Sequence, residues 1–292
     1  MNEVAAPKRA TLKTYLEFVK FEHTLFALPF AYGGMLLATR AWPGWGVFFW
    51  VTLAMIGART ASMALNRVID AEIDARNPRT RSREIPAGKL RKANGVVLAL
   101  VGFAVLVLAG WQLNPLTLAL LPVAVVFLTL YSYLKRFTWL CHLWLGVSIG
   151  AAAAGGWIAV TGTFAPATLT LWAGVACWIA GFDVIYGILD YDFDVRSGVH
   201  SIPADFGVKR ALAISAGLHV LAWGFLALTL PLSGSHWPFA LGLTVVAFVL
   251  WWGQRLARSV DLGSALRSFN GNLYVSGVML LAIILEVTLY PR

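Results

Sequence analysis

The sequence predicts an all-α protein that crosses a membrane repeatedly, with nine helices forming a single domain over residues 1–292. Three observations carry this expectation. Hydrophobic residues fill 59% of the chain and charged residues only 13%, where a soluble domain carries about a quarter. Nine apolar runs approach the roughly 20 residues that a helix needs to cross a hydrocarbon core of about 30 Å. Basic residues alternate sharply from one inter-run loop to the next, as they do when topology is set by charge. The mean hydropathy is +0.73.

The runs follow one another with charged punctuation. The first, 24–41, comes after a segment bearing Lys8, Arg9, Lys13 and Lys20; the second, 45–65, leads into an arginine-rich stretch from Arg67 to Lys92. The third and fourth, 94–113 and 115–133, are separated only by a turn at Asn114 and Pro115. Lys135 and Arg136 precede the fifth, 137–161, and the sixth, 167–189, ends in acidic residues. Arg196, Lys209 and Arg210 lie before the seventh, 211–231. The eighth, 238–253, is short; Arg255, Arg258 and Arg267 separate it from the ninth, 271–290. Twenty of the 23 basic residues thus fall on one side. The positive-inside bias puts the N-terminus and the long loops in the cytoplasm, the C-terminus outside, and the protein in the cell (inner) membrane. No small-residue cleavage pattern follows the basic N-terminus, so no removed signal peptide is expected.

The same composition excludes several classes. With 2 cysteines in 292 residues, a disulfide scaffold is ruled out, and the apolar excess rules out disorder and collagen-like fibres. Cys141 and Cys177 sit in apolar runs without metal-ligand spacing and read as packing residues. A net charge of +9 suggests nucleic acid in a soluble chain, but here it is topological, so no nucleic-acid partner is expected. Nothing calls for an obligate protein partner.

An internal repeat directs attention to one face. Asn66, Asp70 and Asp74 follow the second run; Tyr186, Asp190 and Asp194 end the sixth, at a constant offset of 120 residues. Each set is followed by an Ile-Pro-Ala triplet, at Ile85 and at Ile202. The two helices run in the same direction, so a duplicated bundle brings both acidic ends to the cytoplasmic side. Half of the fourteen acidic residues lie in two windows, 70–74 and 183–194. At about 100° per residue, Asn66, Asp70 and Asp74 share a face while Glu72 points elsewhere. Asp183, Tyr186, Asp190 and Asp194 likewise share one, with Asp192 nearly opposite Asp183. Carboxylates at a membrane edge are costly unless something binds them, and facing acidic stripes suit hard divalent cations with room for phosphate oxygens. Arg59 lies about two turns deeper than Asn66 on the same face, where it either partners a neighbouring group or reaches a ligand. Lys20, Arg81, Arg83, Lys135 and Arg136 form a basic rim. A polyanion bridged by metal fits that arrangement, and diphosphate on a long apolar tail, a lipid, is the natural candidate.

These residues also carry a resemblance. Asn66-Arg67-Val68-Ile69-Asp70-Ala71-Glu72-Ile73-Asp74, continuing through Asn77-Pro78-Arg79-Thr80 to Arg83-Glu84-Ile85-Pro86-Ala87-Gly88, resembles the first aspartate-rich signature of the UbiA family of intramembrane aromatic prenyltransferases. Asp183, Tyr186, Asp190 and Asp194 resemble the second, and Tyr133-Leu134-Lys135-Arg136 the basic loop between them. Gly187 stands where many members have Ala, and Phe193 interrupts an acidic run often written as consecutive Asp. The resemblance implies a UbiA-like bundle and Mg²⁺ held by Asn66, Asp70, Asp74, Asp190 and Asp194 around the diphosphate of a polyprenyl donor. It implies further that Lys135, Arg136 and Arg83 neutralise the leaving diphosphate, while Lys20 and Arg59 are candidate substrate-binding residues by their position alone. Asp183, Tyr186 and Asp190 would form the catalytic set, the first two holding or deprotonating a phenolic ring. The segment from Lys20 to Pro29 resembles the opening of 4-hydroxybenzoate polyprenyltransferases. The implied acceptor is therefore 4-hydroxybenzoate, with a hydroxynaphthoate next, in quinone biosynthesis.

Other features have plainer readings. Arg76, Arg79, Arg91 and Lys92 read as solvated or topological charge. His142 and His219 read as hydrogen-bonded packing residues, while His23 and His200 lie near the expected site. Most of the 13 Trp and 17 Phe are expected to face lipid or its interface. Glu286, deep in the last run, has no evident partner. A secondary transporter is the rival class, but a carrier places its charges near the bilayer midplane rather than at helix ends. An alcohol phosphotransferase is less suited, because its acidic signature runs through a Gly and a downstream Ala-Arg pair on one helix.

Overall fold

The computed structural model describes residues 11–20, 24–258 and 262–291, and every regular element among them is helical. A short α1 (Leu12–Phe18) precedes α2 (Thr24–Thr39), α3 (Trp45–Ile69), α4 (Ala71–Arg76), α5 (Lys92–Leu113) and α6 (Pro115–Leu134). Then come α7 (Cys141–Thr161), α8 (Pro166–Gly187), a single 3-10 turn (Ile188–Asp190), α9 (Tyr191–Ser197) and α10 (Ile202–Phe206). The chain ends with α11 (Val208–Leu232), α12 (Trp237–Ala257) and α13 (Leu262–Leu289). Seven helices are long and apolar enough to cross a membrane: α3, α5, α6, α7, α8 with its continuation to Ser197, α11 and α12. Shorter apolar stretches, Ala27–Thr39 and Tyr274–Leu289, lie in α2 and α13. The chain is therefore a multi-pass membrane protein with seven such helices among the described residues, two fewer than the nine runs of the sequence.

Helix ends differ from the apolar runs where polar chemistry takes over. The second run stops at residue 65, but α3 continues to Ile69, because a helix needs only its backbone hydrogen bonds to go on. The extension carries Asn66 and Arg67 onto the bundle wall, and Arg67 is anchored there by donating from Nε to the Phe18 carbonyl at 3.3 Å. The fifth run opens at residue 137, but α7 begins only at Cys141. At the turn between α5 and α6, the Asn114 side chain accepts from Thr117 N at 2.9 Å and Pro115 opens the next helix, a cap that matches its sequence.

Several helix pairs approach closely at glycines. In the membrane, hydrocarbon gives helices no hydrophobic reason to associate, so close approach through small residues supplies the contact. Helix α2 lies against α7 through Gly34 and Gly156; a methyl group on either would overlap a backbone carbonyl oxygen, of Ala153 or Ala31 respectively. Helix α3 meets α5 through Gly57 and Gly102 in the same way. The largest buried cluster joins α2, α7, α8, α11, α12 and α13 around Trp178, Phe30 and Phe239. Gly156→Val is expected to lower stability by about 1–3 kcal/mol, as overpacking does. Thermal unfolding in detergent checks this against Gly217→Ala, whose added methyl has open space and which should match the wild type.

The two helices that carry acidic runs break at equivalent places. Helix α3 ends at Ile69, Asp70 takes φ −86° and ψ −2°, and α4 follows; α8 ends at Gly187, and the 3-10 turn closing on Asp190 leads into α9. Each break reaches the middle residue of its triplet, Asp70 or Asp190, 120 residues apart as in the sequence repeat.

Candidate active site

Carboxylates at the breaks in α3 and α8 line one cavity of about 220 Å³, bordered by Lys135 of the α6–α7 loop and by the segment from Val199 to Ser201. Asn66, Asp70, Asp74, Asp183, Tyr186, Asp190 and Asp194 all line it, whereas Glu72 and Asp192 are exposed outside. Asp70 interrupts its helix in the right-handed helical region, whereas Asp190 takes φ −104° and ψ 3°, outside it. Glu72 instead accepts from Lys92 Nζ at 2.9 Å, which lowers its pKa from the ordinary carboxylate range.

Each carboxylate in the cavity is held by a named donor. Asp70 is 1% exposed; its Oδ2 accepts from Asn66 Nδ2 at 2.7 Å and lies 2.6 Å from Lys135 Nζ. Burial pushes the Asp70 carboxyl above the usual range, against the opposing pull of Lys135. Arg83 Nη1 donates to both oxygens of Asp74 at 2.8 Å, and Thr80 Oγ1 donates to the Asp74 carbonyl at 3.1 Å. Asp194 Oδ2 accepts from Ser201 Oγ at 3.1 Å.

Asp190 is gripped from the first motif's loop. Asn77 Nδ2 donates to its Oδ1 at 2.9 Å, and Arg79 donates through Nε at 2.8 Å and through Nη2 to Oδ2. Arg79 also donates to the Tyr186 hydroxyl at 2.8 Å and stacks over that ring at 5.0 Å. Burial opposes the charge on Arg79, but its bonds to Asp190 more than offset this and raise its pKa. This corrects the sequence expectation for Arg79, which is exposed but is also the clasp between the two motifs.

A second, mostly apolar cavity of about 520 Å³ opens beside the first, between α2, α3, α5, α6, α7 and α8. Asn66, Arg83, Tyr131, Leu145, Asp183 and Tyr186 belong to both walls. Lys20, held at φ 49°, Arg59 and Arg67 line the apolar cavity only. Arg136, expected to bind substrate, lines neither cavity. Its Nη2 donates to the Ile69 carbonyl at 2.7 Å, one of the carbonyls a helix end leaves unpaired, and its Nη1 lies 3.6 Å from Asp70 Oδ1. Arg81 is exposed. His200 lines the polar cavity, with Nδ1 3.0 Å from Asp205 Oδ1, whereas His23 lies outside the described residues. Cys141, read from the sequence as packing, also lines the polar cavity. Ser132 and Ser201 escaped the sequence reading, and Asn77, quoted there only as part of the first signature, was given no role; its place in the Asn77-Pro78-Arg79 turn beside a carboxylate motif was the one available signal.

The UbiA prenyltransferase family model matches residues 27–284. The chain belongs to the UbiA prenyltransferase family. It is accordingly a prenyltransferase, and the carrier expectation falls. Among relatives, the 4-hydroxybenzoate octaprenyltransferase of Alkalilimnicola ehrlichii is 29% identical over 261 residues, covering 88% of this chain and 87% of that one. The enzyme of the same name from Vibrio campbellii is 27% identical, covering 86% and 88%. Among solved structures, an apo UbiA homolog from Aeropyrum pernix superposes with a TM-score of 0.83 at 34% identity, covering 91% of this chain and 98% of that one. A UbiA homolog from Archaeoglobus fulgidus bound to DMAPP and Mg2+ shares the fold, with a TM-score of 0.75 at 15% identity and coverage of 94% and 99%.

The donor set of this UbiA chain fits a hard divalent ion. Its oxygens are carboxylate and amide, and Asp70 Oδ1 is buried without a hydrogen-bond partner. No three acidic, histidine or cysteine side chains among the described residues are grouped as a metal cage; Asp70, Asp74 and Asp190 are paired with Lys135, Arg83 and Arg79.

Proposed function

We propose that the protein transfers a polyprenyl group from polyprenyl diphosphate to a ring carbon of an aromatic acid, 4-hydroxybenzoate first and a hydroxynaphthoate second, in quinone biosynthesis. The observation that carries the proposal is the shared wall between a carboxylate-lined polar cavity and a larger apolar one. A diphosphate fits the first and a prenyl chain the second, with the allylic carbon between them. The names of the relatives support the same acceptor.

The residues then divide the work. Asn66, Asp70, Asp74, Asp190 and Asp194 would hold Mg²⁺, which when bound offsets the charge of the leaving diphosphate. Lys135 and Arg83, now paired with Asp70 and Asp74, stand within reach of phosphate oxygens and would exchange one anion for another. Lys20 and Arg59 would bind from the apolar side. Arg136 supports Asp70 from behind. Asp183 and Tyr186 face both cavities, so they can hold the phenol of the acceptor and take the ring proton after attack, while Asp190 keeps Tyr186 in place through Arg79. The polyprenyl tail would continue from the apolar cavity into membrane lipid.

The proposal includes a topology. Helices α2 and α13 complete nine spans, and the polar cavity opens to the cytoplasm of a cell whose inner membrane holds the protein, with the N-terminus inside and the C-terminus outside. Twenty basic residues on one side support this orientation.

The test is incubation of the purified protein with Mg²⁺, polyprenyl diphosphates of several lengths and a panel of phenolic acids, with products followed by mass. A prenylated 4-hydroxybenzoate that needs the metal is the expected product. Prenylation of hydroxynaphthoates alone would move the acceptor to the second choice, and prenylation of no aromatic acid would overturn the proposal.

A further inference from the structure

The reaction set out above gives His142 no task, yet the residue lines the polar cavity beside Asp183, which lines both cavities. It lies in the first turn of α7 and its side chain is 7% exposed. Its Nδ1 is 2.7 Å from Asp183 Oδ2, while its Nε2 is buried with no hydrogen-bond partner. The free edge of the ring faces Gly187: a methyl group there would meet Cε1 at 3.0 Å and Nε2 at 3.5 Å. The glycine therefore leaves the imidazole just enough room.

A packing role does not account for this placement. His219 is the other buried imidazole with an unpaired Nε2, and it packs against Gly181 on a wall belonging to neither cavity. His142 lines the polar cavity, and its partner Asp183 lines both. A half-satisfied buried imidazole costs free energy that an apolar side chain would avoid, so its position beside Asp183 is the feature to explain.

Asp183 is 22% exposed at the side chain, and a carboxylate on a cavity wall rotates unless something fixes it. With Asp183 ionised, Nδ1 of His142 carries the proton and donates it to Oδ2. The described residues give Oδ1 no hydrogen bond, so that oxygen is left for a ligand.

We propose that His142 is a positioning residue for the aromatic acceptor: it pins Oδ2 of Asp183 so that Oδ1 meets the acceptor at the junction of the two cavities. The inference rests on the acceptor assignment above. In the step concerned, the ring C–H bond breaks after prenyl attack, its electron pair restores aromaticity, and the proton forms an O–H bond on Asp183. His142 neither gains nor loses a proton; it sets the direction of the accepting lone pair.

The experiment measures steady-state kinetics with each substrate varied separately, using the full chain in detergent with Mg²⁺. His142→Ala should lower kcat/KM for the phenolic acid by about 10-fold to 100-fold, as misplacement by about an ångström does, and leave the KM for the diphosphate unchanged. His142→Asn, whose amide N–H sits near the Nδ1 position, should recover most of the loss and guards against a variant that merely folds badly. In an Asp183→Asn background, His142→Ala should add little, because the two residues act as one unit. Additive losses, an equal effect on the diphosphate, or no rescue by Asn would overturn the positioning role. A wild type that prenylates no phenolic acid would overturn the acceptor assignment itself, and this control separates the two failures.

Discussion

Asp70→Asn and Asp190→Asn are each expected to lower prenyl transfer on the order of 10³-fold, equivalent to about 4 kcal/mol of transition-state stabilisation. Both variants should stay inserted and folded, because Asn keeps the size of Asp and the surrounding donors can still reach its carbonyl oxygen. The size of the loss follows from burial: Asp70 is 1% exposed, and a charge taken out of water acts far more strongly than one at a surface. Losing one anionic oxygen removes a ligand for the metal and leaves Lys135 tied to a weaker partner. Glu72→Gln and Asp192→Asn make the contrast. They lie one helical turn or less from the cavity residues but face outward, so their activity should stay within about threefold of wild type, the range for surface changes. Equal losses at all four positions would show that charge density rather than geometry controls the reaction.

What was legible in the sequence is what periodicity encodes. Apolar runs located the long helices because crossing hydrocarbon demands length, and a four-residue spacing grouped Asn66, Asp70 and Asp74 apart from Glu72, as their places on the cavity wall and at the surface do. Contacts between distant segments left no such trace. Arg79 sits in a loop crowded with other arginines, and only the approach of α8 reveals that it bridges Asp190 and Tyr186. Arg136 has the composition of a substrate ligand, yet the open carbonyls at the end of α3 claim it first. His142 read as packing because Asp183, 41 residues away, meets it only when α7 and α8 are side by side. The second cavity was equally silent, since alanines and leucines lining a void have the same sequence as those filling a core.

Glu286 shows the same limit and gives the largest expected effect on stability. Completely buried in α13, it lies 3.2 Å from Arg40 Nη1, accepts from His236 N through both oxygens at 2.9 Å, and lies 2.8 Å from His236 Nδ1. Arg40, held at φ 50°, also donates from Nη2 to the Ser233 carbonyl at 2.5 Å, and His236 stacks on Tyr290 at 3.9 Å. One carboxylate thus joins the ends of α2 and α11, the start of α12 and the last turns of α13, at the ends of these helices remote from the polar cavity. Glu286→Ala should destabilise the protein by about 3–5 kcal/mol, because it leaves Arg40 buried and uncompensated. The pair Arg40→Met with Glu286→Leu should recover most of that loss, since two apolar side chains bury nothing charged, although the donors of His236 stay unpaired. Thermal unfolding in detergent separates the cases, and a double variant as unstable as Glu286→Ala alone would place the energy in the His236 bonds instead. Because the cluster touches neither cavity, the double variant should keep the kcat of the wild type, which divides what holds the bundle together from what performs the transfer.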